Sequence, residues 1–532
     1  MKQHQTSVVI VGAGPAGLTL AHLLGSYKID TIVLEKLPNT VEEPRAIGID
    51  SETLRTLQAA DLVSEVADDI YFDVQQTEYV NADGKLLFEF DTEGKQPYGF
   101  PIFNTFDQPG FDRTLANVMP QRKSVKLWFN HELTRFEQSD AGVTIYAKNT
   151  EGDDLIIEAQ YLVGCDGGRS HVRAELGIEM TGDSNEFPWL VIDTIDPGFE
   201  DGFESRFFCD PNRPGMTIKK QNQQRRWEWM LMPGETPSDL LEDEMINSLI
   251  APYTDPSQVD VFRKRVYNFS AIVAERWQEG RVFLAGDAAH MTPPFAGQGL
   301  NSGMRDVRNL SWKLAMVIKG QASDDILKSY EIERLQHSKE LIQFALDLGN
   351  QIQPIDPEKA AERDGFFFEL QKDKQAVEDF SAGMANSILA RALDKGIVIA
   401  PEGSSVNGQL LHQPKVTLPN GSLEPLDDLL GQGFSILGYN CDPAVELDSS
   451  VLAQWQDLGA TTVAILNANN SANLDESSAE WPQDTTDALA NHFQNGEHTM
   501  VLVRPDKFCL VAFNRATATA TLEQARELLH LK

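Results

Sequence analysis

The chain has 532 residues, room for about three globular units at the usual ~150 residues per domain. With 41% hydrophobic and 23% charged residues it is neither disordered, collagen-like nor a coiled coil. Its 80 acidic and 45 basic residues leave a net charge of −35, which argues against nucleic acid or an anionic membrane as a partner.

In chain order, Val8-Val9-Ile10-Val11 is a wholly apolar run, as expected of a strand buried on both faces in a parallel sheet. A Gly-rich turn follows, then a helix carrying Leu18, Ala21 and Leu24, then a strand from Thr31 to Leu34. Together they form a βαβ unit. The apolar stretch 8–25 is broken by Gly12, Gly14, Pro15 and Gly17 and holds His22, so it reads as neither a membrane span nor a signal sequence. Residues 78–90 predict a hairpin turned at Asp83-Gly84, and 142–166 two strands about Glu151-Gly152-Asp153. Strands dominate 183–274, where Trp227, Trp229 and Leu231 alternate with Glu228 and Met230 and so share one face against a core or a pocket.

From Gly297, the spacing of Met304, Val307, Leu310, Leu314 and Val317 predicts a helix that stops at Gly320, with helical character again over 323–348. Residues 355–400 are polar and mixed, and the prolines and glycines that follow read as a linker. Strands at 434–437, 461–466, 499–503 and 508–513 and a helix from Thr521 form a small α/β appendage. The four cysteines (Cys165, Cys209, Cys441 and Cys509) are too few and too scattered for a disulfide framework or a zinc site. The expectation is a cytoplasmic protein without a metal.

Gly12-Ala13-Gly14-Pro15-Ala16-Gly17 matches GxGxxG between a strand and a helix. The first two glycines permit a tight turn and close backbone approach, the third packs helix on strand, and the helix N-terminus offers amides to a pyrophosphate. Glu35, beside Lys36, ends the second strand; a carboxylate there accepts ribose hydroxyls and disfavours a 2′-phosphate, so the nucleotide is FAD or NAD. Two further segments choose between them. One runs from Tyr161 through Asp166-Gly167-Gly168. The other runs from Arg281 through Gly286-Asp287 and His290 to Pro293-Pro294, Gly297-Gln298-Gly299-Leu300 and Asn301.

GxGxxG, then Asp166-Gly167, then Gly286-Asp287, in that order, resembles the class A flavoprotein aromatic hydroxylases of the para-hydroxybenzoate hydroxylase fold, over residues 6 to about 350. Segments 209–214, 225–235 and 356–364 look like the 3-(3-hydroxyphenyl)propionate hydroxylase branch, whose members carry a thioredoxin-like C-terminal domain. The resemblance implies an α/β fold: a Rossmann-like FAD-binding domain (1–72, 111–182 and 276–400 with following helices) and an interleaved β-sheet substrate domain (73–110 and 183–275). A linker (401–414) and a thioredoxin-like domain (415–532) complete it. In that last domain Ala444 stands where a CxxC partner of Cys441 would be, so a structural role is expected rather than a redox one. Gly168 stands where alanine is common in the wider family, a change expected to cost nothing because glycine adopts any turn that alanine can.

By resemblance, NADH or NADPH reduces FAD, O2 is captured, and a flavin C4a-hydroperoxide hydroxylates a phenolic ring ortho to its hydroxyl, the small aromatic substrate being of the 3-(3-hydroxyphenyl)propionate or 3-hydroxycinnamate type. The cofactor residues it implies are Gly12, Gly14, Pro15, Ala16, Gly17, Glu35, Lys36, Arg45, Gln108, Asp166, Gly286, Asp287, Pro294, Gly297, Gly299, Leu300 and Asn301. Arg45 is the mobile-flavin arginine, Pro293 part of a rigid wall near the reacting carbon, and His290 a candidate phenol base. Tyr253 and Tyr267 are alternative bases, a structural hydrogen bond being the competing role for all three. For the substrate, Trp227 and Trp229 line a pocket or fill the core, and Arg213 or Arg226 meets a carboxylate. A locally basic entrance is expected among Arg45, Arg213, Arg225 and Arg226. The same chemistry on a polyketide, resorcinol or quinolone ring, a flavin reductase without oxygen insertion, and a non-enzymatic interaction protein remain as alternatives, and a homodimer is left open.

Overall fold

The computed structural model describes residues 2–71, 74, 76–184, 187–197, 203–389, 391–399, 406–468, 480–490, 492–493 and 499–531. A six-stranded sheet forms the first layer, in the order Gln278–Glu279, Val282–Leu284, Tyr161–Gly164, Val8–Val11, Thr31–Leu34, Val125–Trp128, parallel except at its Gln278 edge. Its central strands are buried on both faces, because the helix Pro15–Ser26 and the strands His131–Ser139 and Gly142–Asn149 pack against them. Helix α1 (Pro15–Ser26) starts at a proline, whose missing N–H costs nothing in the first turn. Helix α2 (Ser51–Gln58) is capped by Asp50, which accepts from the Thr53 N–H.

Helix α3 (Gly299–Ile318) is buried nearly all round, and helix α4 (Lys328–Ile352) packs beside it. A four-stranded sheet (Lys2–Gln5, Asp154–Ala159, Gly142–Asn149, His131–Ser139) closes this unit. Its first strand is too polar to be read from pattern; it forms because Lys2 to Gln5 pair in parallel with Leu155 to Glu158.

A seven-stranded sheet is threaded between the segments that form the first layer, in the order Asp260–Tyr267, Trp189–Ile195, Gln224–Met230, Gly215–Lys219, Ser205–Cys209, Gln76–Asn81, Leu86–Asp91. Its two faces differ. Tyr79, Trp189, Phe207 and Met230 point inward onto Phe295 and the Ala345, Leu348 and Ile352 side of α4. Trp227 and Trp229, stacked with centroids 5.6 Å apart, point outward with Leu190, Ile192 and Phe208 onto two short helices, Pro237–Leu240 and Asp243–Ile250. The polar stretch after Ile355 forms two helices, Pro357–Leu370 capped by Asp356 and Lys374–Ile388 capped by Asp373.

The C-terminal unit has a parallel pair (Ser435–Tyr439 and Thr461–Asn467), an antiparallel hairpin (Met500–Val503 and Cys509–Phe513) and a final helix, Ala518–Leu528. The part of the expected linker that is described, 406–414, is packed rather than loose: Leu411 is fully buried, Leu410 bridges to Phe508, and Gln413 donates to the Tyr98 carbonyl. Residues 401–405 lie outside the described ones. A buried ionic cluster fastens this unit to the rest. Glu333 of α4 accepts from Lys313 at 2.8 Å and from both terminal nitrogens of Arg504 at 2.9 and 3.0 Å, while Arg504 also grips Asp506.

Candidate active site

The turn after Val11 is built so that only glycine fits at two places. Gly12 has φ +103°, and a Cβ there would lie 2.4 Å from the Cys165 carbonyl oxygen; at Gly17 it would lie 2.0 Å from the Gly12 oxygen. Gly14 differs: a Cβ there meets nothing within 4 Å, so the space above the α1 N-terminus is open. That opening, lined by first-turn amides of Ala16 and Gly17 that have no intrahelical acceptor, fits a pyrophosphate. Glu35 accepts from the Ala13 and Leu37 N–H groups, 2.9 Å each, fixing its carboxylate beside the turn; Lys36 is exposed.

The other two segments are tied to this turn. Gly286 has φ +61° and approaches the Ala16 methyl and Gly303, so α1, α3 and the Gly286-Asp287 turn meet at one point. Asp166 accepts from Ser170 Oγ and from the His171 and Val172 N–H groups, capping the helix His171–Glu175. Arg173 then donates to the carbonyls of Gly168 and Ala288, at 2.8 and 2.9 Å, stapling the two turns together. Nothing in the sequence pattern singled out Arg173. At Gly168 a Cβ would fall 2.6 Å from Met291 Sδ, in a flexible side chain, so alanine there would require that methionine to shift.

Asp287 is half-buried; burial raises its carboxyl above the ordinary value, and the charges of His290 and Arg45 oppose the rise. Arg45 has an exposed side chain and a firmly held backbone: Gln108 Oε1 accepts from the Arg45 and Ala46 N–H groups at 2.8 Å, and Arg226 donates to the Arg45 carbonyl at 3.1 Å. Gln108 therefore spends its oxygen on the loop that carries Arg45. Pro293 and Pro294 lead to Gly297 at φ +63°, whose carbonyl accepts from Asn301; Gly299 and Leu300 open α3.

Several expected site residues have other duties. His290 is buried, donates through Nε2 to Asp306 at 2.7 Å and stacks on Trp277, so it supports the Gly286 turn instead of facing a substrate. Asp306 also accepts from the Gly286 N–H and from Arg334; burial pushes its carboxyl up, but His290 and Arg334 bring it below the ordinary range. The Asn301 side chain is used up on Asp50, Thr53, Gly48 and Gly297, so it anchors α3 to the α2 cap. Arg213 is held by both oxygens of Glu235, at 2.7 and 2.5 Å, because Arg213 precedes the strand Gly215–Lys219 and Glu235 follows its antiparallel partner Gln224–Met230, at the same end of the pair. Trp227 and Trp229 take the outer face, and Tyr253 stacks there on Phe208, 4.7 Å between centroids. Arg225 shares that face, donating to the Phe203 carbonyl.

The inner face carries a charged set that patterning missed. Asp193 is fully buried, accepts from Arg226 at 2.8 and 3.1 Å and from Arg263 at 2.6 Å, and titrates at about 2; burial opposes this, and the two arginines with Lys220 outweigh it. Lys220 is itself buried, and burial lowers its ammonium. Glu228 is buried 3.9 Å from Arg226, with no closer polar partner among the described residues; burial raises its carboxyl against that arginine's pull. Tyr267 accepts from Arg263 at the edge of the same face.

Residues 5–345 match the family described as FAD binding domain, and 408–528 the HcaD C-terminal domain. The chain is 36% identical over 520 residues to a 3-(3-hydroxy-phenyl)propionate/3-hydroxycinnamic acid hydroxylase of Burkholderia vietnamiensis, covering 95% of this chain and 93% of that one. It is 34% identical over 532 residues to the enzyme of that name from Escherichia coli K12, covering 99% and 95%. Among solved structures it resembles the flavin-dependent monooxygenase PieE in complex with FAD and substrate, with TM-score 0.81, 19% identity and all of both chains covered. A ternary complex of aklavinone-11 hydroxylase with FAD and aklavinone gives TM-score 0.79 at 25% identity, covering 99% of this chain and 100% of that one.

Proposed function

Because the chain belongs to the FAD binding domain family, and within it to the hydroxylases it matches over nearly its whole length, we propose that it is an FAD-dependent, NAD(P)H-consuming monooxygenase that hydroxylates a phenolic ring. The ring is that of a 3-(3-hydroxyphenyl)propionate or 3-hydroxycinnamate, hydroxylated ortho to give a catechol. The observation that carries the reading is the joined cradle: open space at Gly14, Glu35 fixed beside it, and the Gly286-Asp287 turn stapled to the Asp166 turn by Arg173.

FAD held there supplies acceptance of hydride from the reduced nicotinamide and activation of O2. Gly12, Gly14 and the α1 amides bind its pyrophosphate, Glu35 its ribose, and Asp287 the linking chain. Pro293 and Pro294 form a rigid wall without N–H groups, Pro293 itself being buried, which keeps water from the reacting face. Arg45 places a positive charge close to Asp287 on a loop held by Gln108 and Arg226. On the inner face, Glu228 takes the phenol proton: burial raises its carboxyl above the ordinary value, which makes it a better proton acceptor, and Arg226 stabilises it when ionised. On that face Arg226 and Arg263, both shared with Asp193, are the cations that meet a propionate side chain, while Lys220 lies between Asp193 and Asp107.

The test is nucleotide oxidation by the purified yellow protein with 3-(3-hydroxyphenyl)propionate and 3-hydroxycinnamate, followed by product mass. Accelerated oxidation with a gain of one oxygen is expected; acceleration without oxygen insertion would leave a reductase, and no response to either acid would move the substrate to another aromatic.

A further inference from the structure

Away from the flavin cradle lies a cavity between α2, α3, α4, the stretch 391–393 and the C-terminal unit. It is lined by Arg55, Arg305, Arg308, Arg334, Arg391 and Lys507, and by His337, against two carboxylates, Glu52 and Asp506. In a chain of net charge −35 this is a concentration of cations that packing alone does not require. We propose that it is a binding site for a compact tetrahedral oxyanion of the phosphate or sulfate kind.

The donors are built in. Arg334 can only donate, so in its contact with His337 the ring's Nδ1 must accept, and the proton of a neutral His337 sits on Nε2. That Nε2 is buried with no hydrogen-bond partner among the described residues, and so is Nε of Arg305. Arg308 spends one nitrogen on the Pro505 carbonyl at 2.6 Å and has no carboxylate bound to it among the described residues. The two lining carboxylates are already engaged: Glu52 accepts from Arg305, and Asp506 from Arg504 and Trp312. The acids that neutralise Arg55, Arg334 and Arg391 (Asp427, Asp306 and Glu340) stand outside the lining; Arg55 and Arg334 have all three nitrogens engaged and add charge to the cavity, whereas Arg391 spends one nitrogen on Glu340.

The local field agrees. His337 is held well below its ordinary value by burial, and every charge that acts on it, from Arg334, Arg305, Arg391 and His290, is positive. Lys507 is lowered to about 8 by burial, with Asp427 and Asp506 opposing the shift and Arg308 and Arg55 adding to it. The space measures about 40 Å³, against ~10–15 Å³ for one water, so it takes one small oxyanion and excludes a nucleotide. Guanidiniums suit such an ion because their paired N–H groups match two oxygens at once.

Occupancy would reach the flavin cradle through short links. Arg305 holds Gln298, which caps α3, and Asp50, which caps α2. Arg334 holds Asp306, which holds the Gly286 turn. The proposal does not depend on which aromatic is hydroxylated.

The experiment uses FAD-loaded protein, so that the pyrophosphate cradle is filled. Phosphate, sulfate and malonate are titrated against chloride at matched ionic strength, by calorimetry and by thermal midpoint, on the parent and on Arg308→Gln, His337→Leu and Arg391→Gln. Arg391 is partly exposed, so its variant is expected to fold even if the buried ones do not. One saturable site for phosphate or sulfate, weakened at least tenfold in each folded variant with flavin content unchanged, is the expected result. A response shared by chloride, binding undiminished in the variants, or saturation by malonate alone would overturn the proposal.

Discussion

The inner face of the seven-stranded sheet rests on Asp193, and replacing it with asparagine (Asp193→Asn) tests that account quantitatively. In the parent, Asp193 is held down to about 2 against an ordinary 3.8, which at ~1.36 kcal/mol per tenfold corresponds to about 2 kcal/mol of stabilisation. A carboxyl lowered on folding contributes fully above its unfolded value and loses that contribution as the pH falls through the folded one, so the window runs from about 4 down to about 2. The neutral amide would also leave Arg226 and Arg263 buried with only Glu228 nearby, and stranding buried charges costs ~3–5 kcal/mol. The expected destabilisation at neutral pH is therefore about 2 to 5 kcal/mol, read from the urea midpoint by tryptophan fluorescence, and the gap between variant and parent should close between about pH 4 and 2. Arg226 also holds the Arg45 carbonyl, so nucleotide oxidation should fall as well. A variant within ~0.5 kcal/mol of the parent, or a gap independent of pH in that window, refutes the reasoning.

Gly14→Val places its side chain in the open space above α1; the protein should keep its circular dichroism and lose its yellow colour on purification. Glu228→Gln should lower kcat by ~10²–10⁴-fold and remove one ionisation from the pH profile of kcat, while leaving flavin content intact; an unchanged profile would take the proton-accepting role away from Glu228. Cys441→Ser should change neither nucleotide oxidation nor coupling, because the thiol is raised to about 11, chiefly by burial, and has no cysteine partner among the described residues. A loss of activity in that variant would restore a redox role to the C-terminal unit.

The cradle was legible because its constraints are local. Gly12 and Gly17 are set by contacts within a turn and its neighbouring strand, and the Val8–Val11 run reports burial on both faces, so motif and pattern sufficed. The hairpin at Asp83-Gly84 was readable for the same reason, with Gly84 at φ +73°. The sheet's alternation was also visible, yet period two says only that Trp227 and Glu228 lie on opposite faces. It does not say which face meets the flavin cradle. Arg213 looked available for a substrate because Glu235, its partner, lies 22 residues on, beyond two paired strands. His290 looked catalytic by type, and Asp306, which engages it, lies in another element.

The sequence by itself therefore determined the glycine turn between strand and helix and the flavoprotein family, since both rest on residues close along the chain. Tertiary structure alone decided which side of the sheet faces inward and which arginines are already paired. It also decided that the C-terminal unit is bolted on through Glu333, Arg504 and Asp506, leaving a basic cavity at the seam. The physical reason is that burial and ion pairing are relations between surfaces: Glu333 and Arg504 stand 171 residues apart, and neither residue's neighbours in the chain carry a sign of the other.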